Sequence, residues 1–265
     1  MKLTVTEPTA PPQFVITMEK ITSRKNPYIK HLRALETDGA YRREKREFVC
    51  DGQKTLAEAL RFGGEVTSVL WRGAAAPGYE ELPGQYCTPD ELFDYASPLV
   101  RSPGPVFTVG MEQPPGGKIS RAIVLEGVQD PGNVGTVIRT ASAFRIDAVV
   151  LTGGCADLYN PKTVRSAMGA VFRQRVLETD DIDAFLAENG LALFGAALSK
   201  DAADIRDAKL ENAAVAIGSE GRGLSARLLS RCEGTVIIPM NPDSESLNAA
   251  VAASLVMWEM MKDSL

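Results

Sequence analysis

The chain has 265 residues, 45% of them hydrophobic and 24% charged, with a net charge of −5 at neutral pH. That length supplies core enough for one large or two modest domains. No run of about 18 apolar residues occurs, which argues against a membrane span, and the acidic balance argues against gripping nucleic acid by bulk positive charge.

Residues 1–18 are rich in Pro and Thr and lack a basic segment followed by an apolar core, so they read as a flexible tail and not as a signal peptide. Cys50, Cys87, Cys155 and Cys232 are scattered without CxxC or zinc-type spacing. Free thiols in a reducing cytoplasm are expected. The single histidine, His31, argues against a His-rich metal site and a Ser-His-Asp triad; it is expected at the surface or half-buried. No metal site is expected.

Residues 19–109 read as a small α/β unit. Asn26-Pro27 opens a helix carrying Ile29, Leu32 and Leu35, and a charged turn from Tyr41 to Arg46 leads to a strand at Phe48-Val49-Cys50. A helix over 55–62 follows, with Leu56, Ala59 and Leu60 inward and Gly63-Gly64 as its stop. Strands are expected over 66–71 and 106–109, with a helix over 89–95 between them. Between Glu19 and Glu47 lie nine basic side chains against five acidic ones. Arg24, Lys25, Lys30, Arg42 and Arg43 are therefore candidate RNA contacts, and a solvated helix face is the equally open alternative.

Residues 110–120 form a Gly/Pro-rich linker. Its Gly117-Lys118 is no P-loop, because Glu112 and Ile119 stand where Gly and Ser or Thr are needed. From 121 to 265 strands (122–126, 147–152, 171–176, 191–197, 213–218, 235–239) alternate with helices (133–145, 162–169, 181–189, 224–230, 246–262). Several strands are continuous apolar runs, the mark of a parallel sheet covered on both faces. Such sheets bind ligands beyond the strands' carboxyl ends.

Three stretches carry chemistry. In the first, Glu126 to Gly135 running into Arg139, a strand ends, Pro131-Gly132 turns, and Asn133 caps a helix with Val134, Val137, Ile138, Ala141 and Phe144 inward. A helix start flanked by glycines can take a phosphate or ribose oxygen, and Arg139 can reach a phosphate; an ordinary strand–turn–helix with a surface arginine fits too. In the second, Ile217 to Leu224, Gly218 and Gly221 permit positive φ and close approach of a ligand. Gly221 to Ala226 also satisfies the dinucleotide fingerprint GxGxxA. Glu220 would repel a pyrophosphate, and the stretch is not in an opening βαβ unit, so nicotinamide or flavin binding is disfavoured. In the third, a strand stops at Pro239 and Ser246 is the expected cap of a last helix with Leu247, Val251, Leu255 and Trp258 inward.

Ile238-Pro239-Met240 with Ser246-Leu247-Asn248, and the two upstream stretches in the same order, resemble the motifs of the SPOUT methyltransferases, in the SpoU/TrmH branch. Residues 19–109 look more loosely like that family's N-terminal domain, itself similar to small α/β ribosomal proteins, with Asp51 in place of a more usual Glu. The segment Asn160 to Gly169 is similar to the one after the second strand in relatives; Arg165 there is a candidate RNA contact or simply part of a packing helix. The resemblance implies a deep trefoil knot, a homodimer whose active sites draw on both protomers, and S-adenosylmethionine held by loops around Leu198, Gly218, Ile238, Met240 and Leu247. It implies methyl transfer to a ribose 2′-hydroxyl of RNA, ribosomal first and transfer RNA second. Arg139 would steady the developing alkoxide, and Asn133, Glu220, Ser246 and Asn248 would orient ribose and arginine. A catalytically idle RNA-binding or ribosome-assembly factor is the rival within the family.

Overall fold

The computed structural model describes residues 18–114, 116–199, 201–241, 243 and 246–264. The expected tail up to residue 17, and Pro242, Ser244 and Glu245 of the last loop, lie outside the described residues. The first half runs β1 (Glu19–Lys20), α1 (Pro27–Thr37), α2 (Gly39–Lys45), β2 (Glu47–Asp51), α3 (Gln53–Arg61), β3 (Val66–Arg72), β4 (Gln85–Thr88), α4 (Asp90–Ala96) and β5 (Val106–Gly110). The second runs β6 (Arg121–Glu126), α5 (Pro131–Ala143), β7 (Ala148–Thr152), α6 (Pro161–Ala167), a 3₁₀ turn (Ala170–Phe172), β8 (Val176–Glu178), α7 (Ile182–Asn189), β9 (Ala192–Ala196), β10 (Ala203–Asp204), β11 (Ala213–Gly218), α8 (Ala226–Leu229), β12 (Gly234–Ile237) and α9 (Ala249–Met261).

Local chemistry sets the helix starts. Asn26 accepts from the Tyr28 amide with Pro27 at the first helical position, and Asp38 accepts from the amides of Ala40 and Tyr41. The second cap turns the expected charged turn into α2, which ends at left-handed Arg46. Asp130, three residues before Asn133, caps α5. His31 is half-buried, its ring nitrogens 3.0 Å from the Tyr41 hydroxyl and 2.8 Å from Glu47.

The first sheet is mixed, in the order β1-β4-β3-β5-β2; the second is parallel throughout, β10-β12-β9-β11-β6-β7-β8. Successive strand residues divide between two cores. Ile123, Leu125, Val149, Leu151, Val215 and Ile217 join the core under α5, α6 and α9. Their neighbours Ala122, Val124, Ala148, Val150, Ala214 and Ala216 join the core under α7 and α8. Both faces are covered, as continuous apolar strands require. The strand expected over 171–176 is the 3₁₀ turn followed by the shorter β8.

The first core does not stop at the linker. Phe48, Leu56, Ala59 and Trp71 of the first half share it with Val134, Val171 and Met257 of the second, and Phe48 lies 4.7 Å, centroid to centroid, from Tyr159. Gln113 donates to the Tyr159 hydroxyl and accepts from the Val176 amide, and Ile119 is buried, so the linker is pinned at both ends. Leu60, expected inward, is 39% exposed.

Arg42 is corrected most firmly: it is 3% exposed and no candidate for RNA. Its guanidinium donates to Asp157 (2.5 Å) and to the carbonyls of Leu35 and Glu36 (2.6 and 3.2 Å), tying α2 to the loop after β7. A residue-by-residue charge census counts Arg42 with its neighbours, because only packing shows that α2 turns it inward.

The last helix also corrects its expectation. Val251, Leu255 and Trp258 are 40–48% exposed, whereas Ala249, Ala250, Ala253, Val256, Met257, Met260 and Met261 are buried. The helix is apolar on nearly every side, so periodicity does not choose a face. The alanines decide it, because they let the backbone come close to α5 and β11.

Asp157→Ala leaves the Arg42 charge buried and unneutralised, and is expected to cost about 3–5 kcal/mol. Arg42→Met substitutes apolar volume and leaves a partly hydrated Asp157, so it should cost less than half as much. Denaturant unfolding followed by circular dichroism tests this; equal losses contradict it.

Candidate functional site

The parallel sheet reverses its strand order between β6 and β11, whose ends Glu126 and Gly218 are register partners. The crevice outside the carboxyl ends of such a switch point is open by topology. Three segments meet there: the turn after β6, the loop after β11 and the start of α9.

One carboxylate joins them. Glu220 Oε1 accepts from Asn133 Nδ2 (2.6 Å), Asn248 Nδ2 (2.8 Å) and the Ala249 amide (3.3 Å). Asn248 Nδ2 also lies 3.1 Å from Asn133 Oδ1. Its own Oδ1 accepts from the amides of Ala250 and Val251, so Asn248 caps α9 where Ser246 was expected to. Asn248 thus caps with its oxygen and reaches Glu220 with its nitrogen, two separate atoms for two jobs that in a serine would fall to one hydroxyl oxygen.

The loop from Ser219 to Ser225 is a tight turn, with Gly223 N–H donating to Ser219 O (2.8 Å). Gly223, at φ 64°, takes the left-handed conformation that was expected of Gly218 and Gly221. Gly218 is needed for a different reason: a Cβ there would sit 2.1 Å from the carbonyl carbon of Gly223. A residue to which motif reading gave no role beyond ending its strand anchors the far end. Glu126 accepts from the amide and hydroxyl of Ser225, both at 2.7 Å, while Ser225 caps α8. A carboxylate at a strand's end, facing a helix-cap serine 99 residues on, leaves no local signal.

This loop separates two cavities. One, of about 450 Å³, is walled by Leu198, Gly218, Leu224, Leu229, Ile238, Met240, Ser246 and Leu247. All five sequence-expected cofactor residues therefore converge on it, with Ser246 beside them. Its volume and apolar walls suit a small molecule. Among the described residues its charged side chains are Glu220 and Arg222, one of each sign, which suits a zwitterion with a cationic centre better than a pyrophosphate. The second cavity, of about 470 Å³, is more polar and is lined by Glu126, Gln129, Asp130, Asn133, Glu220 and Arg222 among others. Glu220 borders both. Asp130 is held below the usual carboxylate range by Lys162 (2.8 Å) and by the Gly132 amide.

Arg139 does not join this cluster within one chain. It is exposed on α5, without a hydrogen bond or ion pair among the described residues, and Glu220 does not orient it. Arg24, Lys25, Lys30, Arg43 and Arg165 are exposed; Arg24 lies over the Tyr95 ring at 4.5 Å. The four cysteines are free, and burial raises the thiols of Cys50 and Cys155 and brings that of Cys232 to about 11. Among the described residues no group of His, Cys, Asp and Glu could hold a metal, and no helix is long and apolar enough to cross a membrane.

A parallel α/β sheet that opens two adjoining cavities of different polarity at its switch point is the layout of an enzyme that brings two ligands together. Comparison with known proteins narrows that class. The family model described as SpoU rRNA Methylase matches residues 120–258, and the chain belongs to that family. It is 32% identical over 253 residues to the 23S rRNA (guanosine(2553)-2′-O)-methyltransferase RlmP of Bacillus subtilis, covering 92% of this chain and 99% of that one. A solved RNA 2′-O ribose methyltransferase is 29% identical, with a TM-score of 0.76 over 92% of this chain and 98% of its own. The AdoMet-bound rRNA methyltransferase of Sinorhizobium meliloti shares the fold, with a TM-score of 0.84, 23% identity and coverage of 94% and 99%.

Asn248→Ala is expected to lose the cap, about 1 kcal/mol, and the bond to Glu220. Asn248→Asp keeps the cap but sets a second carboxylate against Glu220. Calorimetric titration with S-adenosylmethionine should therefore show weaker binding in both, with thermal stability falling mainly in the alanine variant. Wild-type affinity in Asn248→Asp would contradict the shared-carboxylate geometry.

Proposed function

We infer that the chain is an S-adenosylmethionine-dependent methyltransferase acting on a ribose 2′-hydroxyl of RNA, with ribosomal RNA as its substrate. The observation that carries this reading is the junction of Asn133, Glu220 and Asn248, one residue from each motif, between an apolar cavity and a polar one. Its support from outside the chain is the match to the family and to the Bacillus subtilis relative along nearly the whole length.

Bound S-adenosylmethionine supplies an electrophilic methyl group. Leu198, Ile238, Met240 and Leu247 wall its cavity, and the backbone around Gly218 and Ile238 offers it hydrogen bonds. Glu220 holds Asn133 and Asn248 at the boundary between the cavities, so that the ribose lies against fixed amides; such positioning can supply much of a rate. As the oxygen takes the methyl group its proton would pass to water and the donor would leave as a neutral thioether, so the negative charge that develops transiently on the oxygen is what needs stabilising. Arg139 is assigned that stabilisation and a phosphate contact, not the role of base, because a guanidinium stays protonated.

Arg139 reaches a site through dimerisation. Val251, Leu255 and Trp258 form an exposed apolar stripe on α9, bordered by the half-buried Phe144 just past the end of α5, 5.8 Å from Trp258. A stripe of this kind suits a second copy of the chain. Arg139 stands on α5 beside it, so pairing of the stripes would carry each Arg139 towards the partner subunit's polar cavity. The trefoil knot belongs to the same proposal, as do a cytoplasmic location, a substrate-binding role for residues 19–109 joined by 110–120 to the catalytic 121–265, and RNA contacts through Arg24, Lys25, Lys30, Arg43 and Arg165.

Mapping ribose methylation over all RNA in cells with and without the protein tests the function. One ribosomal mark should disappear; a lost transfer-RNA mark would redirect the assignment, and no lost mark would refute it. Arg139→Ala should lower kcat by about 10²–10³-fold with donor affinity unchanged. Trp258→Glu should sediment as a monomer, bind the donor and be inactive.

A further inference from the structure

The groove does not end at the two cavities. The polar cavity shares Glu126 and Gly153 with a third, of about 190 Å³. That one shares Thr152, Gly153 and Asp180 with a fourth, of about 360 Å³. The series follows the carboxyl ends of β6, β7 and β8, away from the donor cavity.

Two side chains give this extension chemical character. Arg227 of α8 lines the third cavity, and its guanidinium has no hydrogen bond or ion pair among the described residues. Arg231, four residues on, is by contrast neutralised by Asp183 at 3.0 Å. Asp180 lines both cavities. Its Oδ1 accepts from the Gly153 amide and the Thr152 hydroxyl, each at 3.1 Å, and its Oδ2 has no partner among the described residues. Those bonds, the Gly153 amide foremost, together with the nearby positive charge of Arg227, hold its carboxyl below the usual range. At neutral pH the group is ionised and accepts only.

We propose that the third and fourth cavities form a subsite for a nucleotide adjoining the methylated one, in which Arg227 holds a phosphate and Asp180 accepts hydrogen bonds from the base. An acceptor-only group selects for a donor edge. Guanine alone offers two donors side by side, N1–H and the N2 amino group, which can both point at the one open oxygen, Oδ2. Adenine and cytosine set their amino group beside an acceptor ring nitrogen, and uracil sets its one N–H between two carbonyls, and a carboxylate repels each of those acceptors. The subsite therefore favours guanosine. Unpaired bases turned into protein cavities are the usual means by which RNA sequence is read. The inference rests on RNA being the ligand, and goes beyond that reading by naming a specificity-determining residue.

Binding of two fluorescent single-stranded probes to the full chain tests it: decauridylate, and the same decamer with one central guanosine. The guanosine probe should bind the wild type about tenfold more tightly, the size of one good base contact. Asp180→Ala should abolish that preference, and Asp180→Asn, which puts an amide donor at the free position, should shift it towards uridine. Arg227→Ala should weaken both probes alike and reduce the slope of log K against log salt by about 0.7, the loss of one phosphate contact on a single strand. S-adenosylmethionine affinity should stay at wild-type level in all three. No guanosine preference in the wild type, a preference that survives both Asp180 substitutions, or an unchanged salt slope overturns the subsite. Loss of donor binding in the Asp180 variants also overturns it, since Asp180 would then be a structural support. Methylation of ribosomal RNA by the same preparation is scored separately. Its absence with the preference intact sinks the enzyme reading, and its presence without the preference sinks only the subsite.

Discussion

Everything at the switch point hangs on the acceptance of three N–H donors by one oxygen of Glu220. The donors come from segments 87 residues before it and 28 and 29 residues after it. Hydrogen bonds to a charged acceptor are stronger than neutral ones, but Glu220 is exposed, and water competes for the same oxygen. Its importance is geometric. A single acceptor forces the turn after β6, the loop after β11 and the first turn of α9 into one arrangement. Asn133 and Asn248 reinforce it by bonding to each other, and Glu126 closes the far side of the loop through Ser225.

That arrangement makes a partition. On one side lies a cavity with apolar walls, and on the other a polar one floored by the turn after β6. Glu220 faces both, so a carboxylate acceptor sits where the two ligands would meet. A transferase needs such a partition: each ligand has its own chemical environment, and the two environments share a border.

The two halves of the chain behave as one packed body around this site. Phe48 and Leu56 enter the same core as Val134 and Met257, and Arg42 reaches Asp157 across the seam. The helix α5 carries the seam, the motif residue Asn133 and the exposed Arg139 together. Its partner α9 leaves Trp258 and Leu255 to solvent while burying its alanines and methionines. Packing of small residues thus fixes which apolar stripe remains outside.

The sequence by itself determined the parallel sheet, the positions of β6, β7, β9, β11 and β12 to within a few residues (β8 and β10 it did not place), and the three polar stretches that converge on the crevice. These follow from local facts: strand apolarity, the stop at Pro239, and side chains such as Asn26 that accept from amides two residues away. It also placed Leu198, Gly218, Ile238, Met240 and Leu247 around one cavity, through resemblance and not through spacing. Tertiary structure alone decided which asparagine caps α9, which face of that helix is buried, and that Arg42 belongs to the interior. It alone revealed Glu126 as the partner of Ser225. The physical reason is common to these cases. Each turns on a contact between residues far apart in the chain, or on a choice between two faces of equal apolarity, and no local pattern in the chain encodes either.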